Sequence, residues 1–447
     1  MAQSPTRTRG FSPTLALCLA LIGAASMLYY HQGLFMPRVV AVRASQGLGN
    51  GYSFGNDFYQ VWLSARELMR QHRDPYSEEM TREIQTGLFG RPLDPNRPGD
   101  QTDRRVFPYP AFTDLLFSPA SEFPFPVVRV VIVCMLAILI LAAVSLWLHA
   151  LEWRLQWQWI AVISLLTLCS YSALEGLFSA QLGLLVAFLL AAAVVALQRG
   201  RFLLAGVLLG VSTIKPQVTG LAILFLLIWS LRGWRTRGRF AIGFLATTAA
   251  LTGAALAVLP HWIQSWVHTV LAYRHYTRPP LVTEVITSSL CPRLAEPAAL
   301  VLTAVSIVVA LRLAWRSRDA AATSFQVCIT LAILLAITTI TILPGQAVYD
   351  HLILLPGILL LTRYQNEIRS AGPAARLLLI TGAIVLFWPW MAAFVLVALR
   401  PLLPPAAYDS MAFFSLPIRT AASLPFAVLA LLAWTGRIKF VKDRAAV

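Results

Sequence analysis

The sequence predicts an all-α polytopic membrane protein, a single integral-membrane domain over residues 1–447, and three observations carry that expectation. Hydrophobic residues fill 58% of the 447 positions and charged ones 13%, with a mean hydropathy of +0.69, so polar surface is too scarce to enclose a soluble core of this size. Uncharged apolar runs of about 18 or more residues recur, the length at which a helix crosses a roughly 30 Å hydrocarbon layer with its backbone satisfied internally. Arginines and lysines fall on alternate connections between the runs, the pattern that fixes orientation in a bilayer. A membrane β-barrel would alternate in short segments instead.

The first run, residues 13–30 behind Arg7 and Arg9, ends in an aromatic belt at Tyr29-Tyr30. Its charged start is shared with cleaved signal peptides, but its length and belt favour an uncleaved anchor. In all, about twelve spans are expected, centred roughly on residues 22, 137, 167, 189, 207, 224, 249, 306, 332, 355, 386 and 427. The pair near 207 and 224 is short and suits a hairpin that does not cross as two independent helices, which sets the bundle at about 10–12 transmembrane helices. Arg154, Arg199 and Arg201, the clusters at Arg232–Arg239, Arg312–Arg318 and Arg363–Arg376, and the tail from Arg437 to Arg444 belong to the cytoplasmic side. Both termini are then cytoplasmic in the cell (plasma) membrane, and the loops at 37–125 and 260–297 are external. The net charge of +16 is topogenic, spread over short loops with no nucleic-acid-binding module between them, so no nucleic acid partner is expected. Cys18, Cys134, Cys169 and Cys328 lie in apolar runs and leave Cys291 alone outside, which gives no disulfide framework.

With no soluble domain, chemistry must be built from loops and helix ends. Eleven of the 20 acidic residues lie in the first external loop, from Asp57 to Glu122. There Phe58, Val61, Trp62, Ala65, Leu68 and Met69 follow helical spacing, as in a helix lying in the membrane interface, with Asp74-Pro75 as its stop. At its start Asn56-Asp57 reads equally as an N-cap and as a carboxylate fixed at the membrane face for catalysis. Phe107-Pro108-Tyr109-Pro110 puts a proline at the first position of a second helix; its prolines suit a rigid turn, and Tyr109 is placed to line a sugar site.

Deeper in the chain, Lys215 is one of only three lysines, the others being Lys439 and Lys442, and it falls at the external end of the short hairpin. It suits a point charge for a lipid-carried phosphate or a side chain snorkelling from a helix end. Asp350-His351, just inside another apolar run, are costly unless they face a polar cavity or each other, while Asp350 also suits a cap. Glu175 and Gln181 sit at an external turn, where contact with substrate and helix capping are both open. Trp262, Trp266, Val270 and Tyr273, with Arg274 and Arg278 beside them, mark a second interfacial helix. The seven histidines show no ligand spacing, so neither metal nor cofactor is expected.

In order, these pieces resemble the integral-membrane glycosyltransferases of the C superfamily, most closely glycosyltransferase family eighty-seven, the polyprenyl-phosphate-mannose-dependent mannosyltransferases. The resemblance runs through Asn56-Asp57-Phe58-Tyr59 with Trp62, Ala65-Arg66 and Asp74-Pro75-Tyr76; Phe107-Pro108-Tyr109-Pro110 with Leu115-Leu116-Phe117-Ser118-Pro119; Ala205-Gly206 with Lys215-Pro216; and Tyr349-Asp350-His351. The family often has a proline where this chain has Ala111, and Gly-Gln where it has Ala180-Gln181. The resemblance implies a GT-C-type bundle. It implies Asp57 as base and a lipid-phosphate sugar donor; with that donor, Lys215 and Arg274 are expected at the donor phosphate, and Asn56, Tyr59, Tyr109, Gln181, Asp350 and His351 around substrate. Its partners would be a polyprenyl-phosphate-linked sugar and a glycolipid, glycan or protein acceptor. Phosphate departs without a strong acid, so one carboxylate taking the acceptor proton is enough for an inverting displacement. The competing class is a transporter or flippase of a lipid-linked solute; it would show internal pseudo-symmetry, whereas here the polar residues cluster on one side.

Overall fold

The computed structural model describes residues 12–48, 54–94, 96–277, 280–290, 292–345, 347–404 and 414–445; Arg7, Arg9, Arg278, Cys291 and Gln346 lie outside them. The architecture is all-helical, and among the described residues the only β-type pairing is an isolated bridge between Leu281 and Pro344. Helix α1 (Pro13–Tyr29) passes through one π-helical stretch, Tyr30–Phe35, into α2 (Met36–Ser45). Three short helices follow, α3 (Asn56–Gln71), α4 (Glu78–Phe89) and α5 (Phe112–Ser121), and sit together at one end of the bundle. The expected amphipathic helix is therefore present, but α5 packs on part of its polar face: Gln60, Ser64 and Glu67 are buried, with Ser64 bonded to Asp114 of α5, while Arg70 of that face and Met69 of the apolar one are exposed. Pro110 precedes α5 by two residues and is not its first helical residue.

The bundle proper begins with α6 (Phe125–Ala150), which crosses alongside α9 (Leu182–Gln198). Between them α7 (Trp157–Leu168) and α8 (Tyr171–Ser179) meet at a 55° bend, so the span expected near residue 167 is broken. The break is capped locally, since Ser170 Oγ accepts the Ala173 N–H at 3.1 Å. Helix α10 (Phe202–Val211) ends in a 3-10 turn, Ser212–Ile214, before α11 (Pro216–Leu231), with Lys215 at the tip. Helix α12 (Trp234–Val258) packs tightly on α10 because glycine removes the side chains between them. A Cβ at Gly206 would strike the Phe240 carbonyl, and one at Gly243 the Leu203 carbonyl.

Helices α13 (Trp262–Thr277) and α14 (Val282–Leu290) return the chain over the same end as α3, and α15 (Ala295–Arg316) and α16 (Phe325–Thr341) re-enter the bundle. The span expected near 355 is not a full helix. Val348–Leu354 is 3-10, followed by the nine residues of α17 (Leu355–Arg363) and the short α18 (Gln365–Ser370). Irregular backbone at such depth is tolerated only inside protein, and most of α17 is buried. Helix α19 (Pro373–Leu399) and α20 (Leu424–Ala445) close the bundle. Among the described residues five helices are long and apolar enough to cross a bilayer, six with the bent pair, and five shorter apolar helices accompany them.

Candidate active site

The site grows from the start of α3. Gly55 takes the left-handed conformation (φ 82°) that only glycine adopts cheaply, and its N–H donates to the Phe178 carbonyl at 2.7 Å. A Cβ here would lie 2.9 Å from Arg129 Cβ, so glycine is required twice over. Gly55 is the N-cap, and Asn56 and Asp57 occupy the first helical turn with no side-chain cap. The capping role expected for Asn56-Asp57 is therefore filled by its neighbour. Asp57 instead points its carboxylate across the site: Arg105 Nη1 donates to Oδ1 at 2.7 Å and Gln181 Nε2 donates to Oδ2.

Gln181 carries the network inward. Its Oε1 accepts from Lys215 Nζ at 3.2 Å, and the same ammonium donates to both oxygens of Asp350, at 2.8 and 2.9 Å. Lys215 is only 7% exposed and lies 4.7 Å from the centre of the Tyr349 ring, so it is not a snorkelling side chain. Asp350 does not cap; it pairs with Lys215 rather than with His351 beside it. Gly183 leaves room for this pair, because a Cβ there would strike Asp350 Oδ1 and come within 3.2 Å of Lys215 Nζ. A continuous chain of contacts thus runs Arg105, Asp57, Gln181, Lys215, Asp350, joining elements 48, 124, 34 and 135 residues apart.

Tyr109 is buried beside this chain. Burial first, and then the Asp57 carboxylate, push its phenol well above the usual range, so it stays a neutral hydroxyl. The Phe107–Pro110 segment that carries it is held by Tyr76, whose hydroxyl donates to the Tyr109 carbonyl at 2.8 Å, and by Trp266 of α13, whose indole donates to the Pro108 carbonyl at 3.0 Å. Asn56 is buried with neither side-chain atom partnered among the described residues, and the same holds for both ring nitrogens of His351. Two expected site residues, Tyr59 for substrate and Arg274 for the donor phosphate, lie apart. Tyr59 packs against Phe125 (ring centres 4.9 Å) with its hydroxyl over Gly87, and Arg274 is exposed on α13 outside these contacts.

Arg105 was not singled out by the sequence, where it is one of several loop arginines. Also unforeseen is a second buried pair at this end: His31 Nε2 lies 3.1 Å from Glu175 Oε2, with the π-helical stretch supplying the histidine. Asp114 of α5 is fully buried, and its Oδ1 accepts from Ser64 Oγ at 2.8 Å. Burial pushes its carboxyl well above the usual range, only partly opposed by Ser64. Its folded-state affinity for the proton exceeds the unfolded one, so stability is full below the unfolded carboxylate range and declines as pH rises toward the folded value. Asp114→Asn is therefore expected to raise Tm at pH 7.5 and leave it nearly unchanged at pH 4, as thermal unfolding in detergent would measure. Equal effects at both pH values would mean the carboxyl is ionised in the fold.

Running beside α17 is an apolar groove of about 380 Å³ between α7, α19 and α20. Its lining includes His351, Ser170, Leu355, Leu359, Gln365 and Trp153. By helical rise from His351 to Gln365 it is roughly 20 Å long. His351 lines the groove, and the residue before it, Asp350, belongs to the polar network.

The family model described as Glycosyltransferase family 87 matches residues 107–339, which contain Tyr109, Gln181 and Lys215. No curated protein and no solved structure matches the chain.

Proposed function

The chain belongs to glycosyltransferase family 87, and we propose that it moves a hexose, by resemblance mannose, from polyprenyl phosphate to an acceptor hydroxyl at the outer membrane face. The observation that carries the lipid-linked donor is the placement of the apolar groove. A trough roughly 20 Å long by helical rise suits a polyprenyl chain, and its lining includes His351, the sequence neighbour of Asp350, whose carboxylate accepts from the buried ammonium of Lys215. A donor lying there would bring its phosphate to Lys215 and its sugar toward Asp57, one carboxamide away through Gln181. Asp57 takes the acceptor proton as the acceptor oxygen bonds to the anomeric carbon. The bond from that carbon to the phosphate oxygen breaks on the opposite face, and its electron pair leaves with the phosphate. The orphaned polar atoms of Asn56 and His351 are placed for hydroxyl and phosphate oxygens.

Purified protein in nanodiscs with a polyprenyl-phosphate sugar and candidate acceptors should release polyprenyl phosphate. If a lipid-linked solute instead moves across liposomes while no donor is consumed, the chain is a transporter. Leu359→Trp fills the groove away from the polar network. Each buried CH₂ contributes about 0.8 kcal/mol, so excluding four of them should weaken a long-chain donor roughly 10²-fold. Donors with a two-isoprene tail should be spared, and an equal loss for both tails would remove the groove from donor binding.

A further inference from the structure

We propose that Arg105 is a catalytic residue that passes its guanidinium from Asp57 to the departing phosphate, following the negative charge as the transfer moves it. The inference rests on the lipid-phosphate donor proposed above and adds a group that neither motif nor family resemblance selects.

Asp57 pairs with Arg105 and Asp350 with Lys215, and Asp103 Oδ2 lies 4.0 Å from Arg105 Nε, at the limit of an ion pair. A phosphodiester donor adds one negative charge, and cleavage turns it into a phosphomonoester with a second. At the same moment Asp57 loses its own charge to the acceptor proton. One unit of negative charge therefore moves from the carboxylate to the phosphate during the reaction. Lys215 cannot follow it, because both Asp350 oxygens and Gln181 hold its ammonium, and Asp350 stays charged throughout. Arg105 is the cation whose hydrogen-bonded carboxylate, Asp57, is neutralised by the chemistry, while Asp103 stays charged 4.0 Å from its Nε. Its planar fork can donate to a carboxylate and a phosphate oxygen at once, which suits a bridge between the two.

The backbone beneath Arg105 is consistent with a functional demand. Its φ is 56°, the left-handed region, which is unfavourable for a residue with a Cβ. Asp103 holds it there, accepting the Arg105 N–H at 2.9 Å, and Gln85 of α4 fixes the preceding carbonyl at 2.7 Å. The side chain so aimed is 11% exposed, against 14% for Asp57, so the pair is screened from bulk water but not sealed. Glycine would hold this backbone without strain; arginine there is explained by what its side chain reaches.

That substitution is the test. Arg105→Gly suits the backbone, so Tm should stay within a few degrees of the intact protein, while kcat for polyprenyl phosphate release falls roughly 10²–10³-fold, as for loss of one preorganised charge-stabilising donor. Guanidinium chloride at millimolar concentration should restore part of the lost kcat in Arg105→Gly and none in Asp57→Asn. Arg105→Lys should keep the charge yet recover less than guanidinium does, lacking the fork. A kcat within threefold of the intact protein would overturn the proposal. So would a loss that tracks a large fall in Tm and resists guanidinium, since Arg105 would then only neutralise Asp57 for the fold. If the intact protein releases no polyprenyl phosphate from any such donor, the donor assignment itself fails and this role goes with it.

Discussion

Asp57→Asn is expected to lower turnover by roughly 10²–10⁴-fold, the range for removing a positioned general base. The substitution is close to isosteric and does not touch helix capping, because Gly55 and not Asp57 starts α3. The amide oxygen can still accept from Arg105 or Gln181, so donor KM should change far less than kcat. A modest fall in Tm is expected as well, since Arg105 keeps its charge and loses its carboxylate. Steady-state release of polyprenyl phosphate, read beside thermal unfolding, separates these effects. Retained turnover would show that the acceptor proton goes elsewhere, and Asp57 would then be only the partner of Arg105.

The second large effect concerns stability. Removing one member of the buried Lys215–Asp350 pair leaves the other charge without compensation, a change that typically costs about 3–5 kcal/mol. Lys215→Met and Asp350→Leu should each unfold early in detergent. Combined, they leave no orphaned charge and should regain most of the loss, a non-additivity of the kind double-mutant cycles measure. Donor affinity should not return with stability, because the phosphate would have lost its ammonium. A double variant as stable and as active as the intact protein would make the pair purely structural. One that remains as unstable as the singles would show that the pair is held by more than its charges.

Much of the molecule was legible in the sequence because the relevant costs are local. Apolar runs near residues 22, 137, 249, 306 and 386 became long helices, since only an internally bonded helix satisfies a backbone in hydrocarbon. Lys215 and Asp350 stood out for the same reason: an ionisable group in an apolar run needs a partner. What the sequence could not supply was the partner. For Asp350 the sequence left a polar cavity, His351 and a cap open, and its ammonium comes from 135 positions away. The amphipathic pattern of α3 holds for Phe58, Val61, Trp62, Ala65 and Leu68 but not for Met69, and part of its polar face is buried, because the pattern gives a helix its faces but does not say that α5 will pack on the second. Arg105 left no signal at all: a left-handed φ is set by Asp103 and Gln85, and one arginine in a basic loop looks like the next.

The sequence by itself determined that this chain is a helical membrane protein, where its long apolar helices fall, and that Asp57, Lys215 and Asp350 must be accounted for. Hydropathy, helix length and the cost of burying charge are properties of a segment and its solvent, readable one segment at a time. Only the tertiary structure decided that Asp57 faces Arg105 and Gln181 rather than its own helix end, that Lys215 belongs to Asp350, and that His351 opens onto an apolar groove. These depend on which helices pack together, and that is fixed by close approaches such as Gly206 on Phe240 and Gly183 on Asp350, where the absence of a side chain at one position selects a neighbour far along the chain.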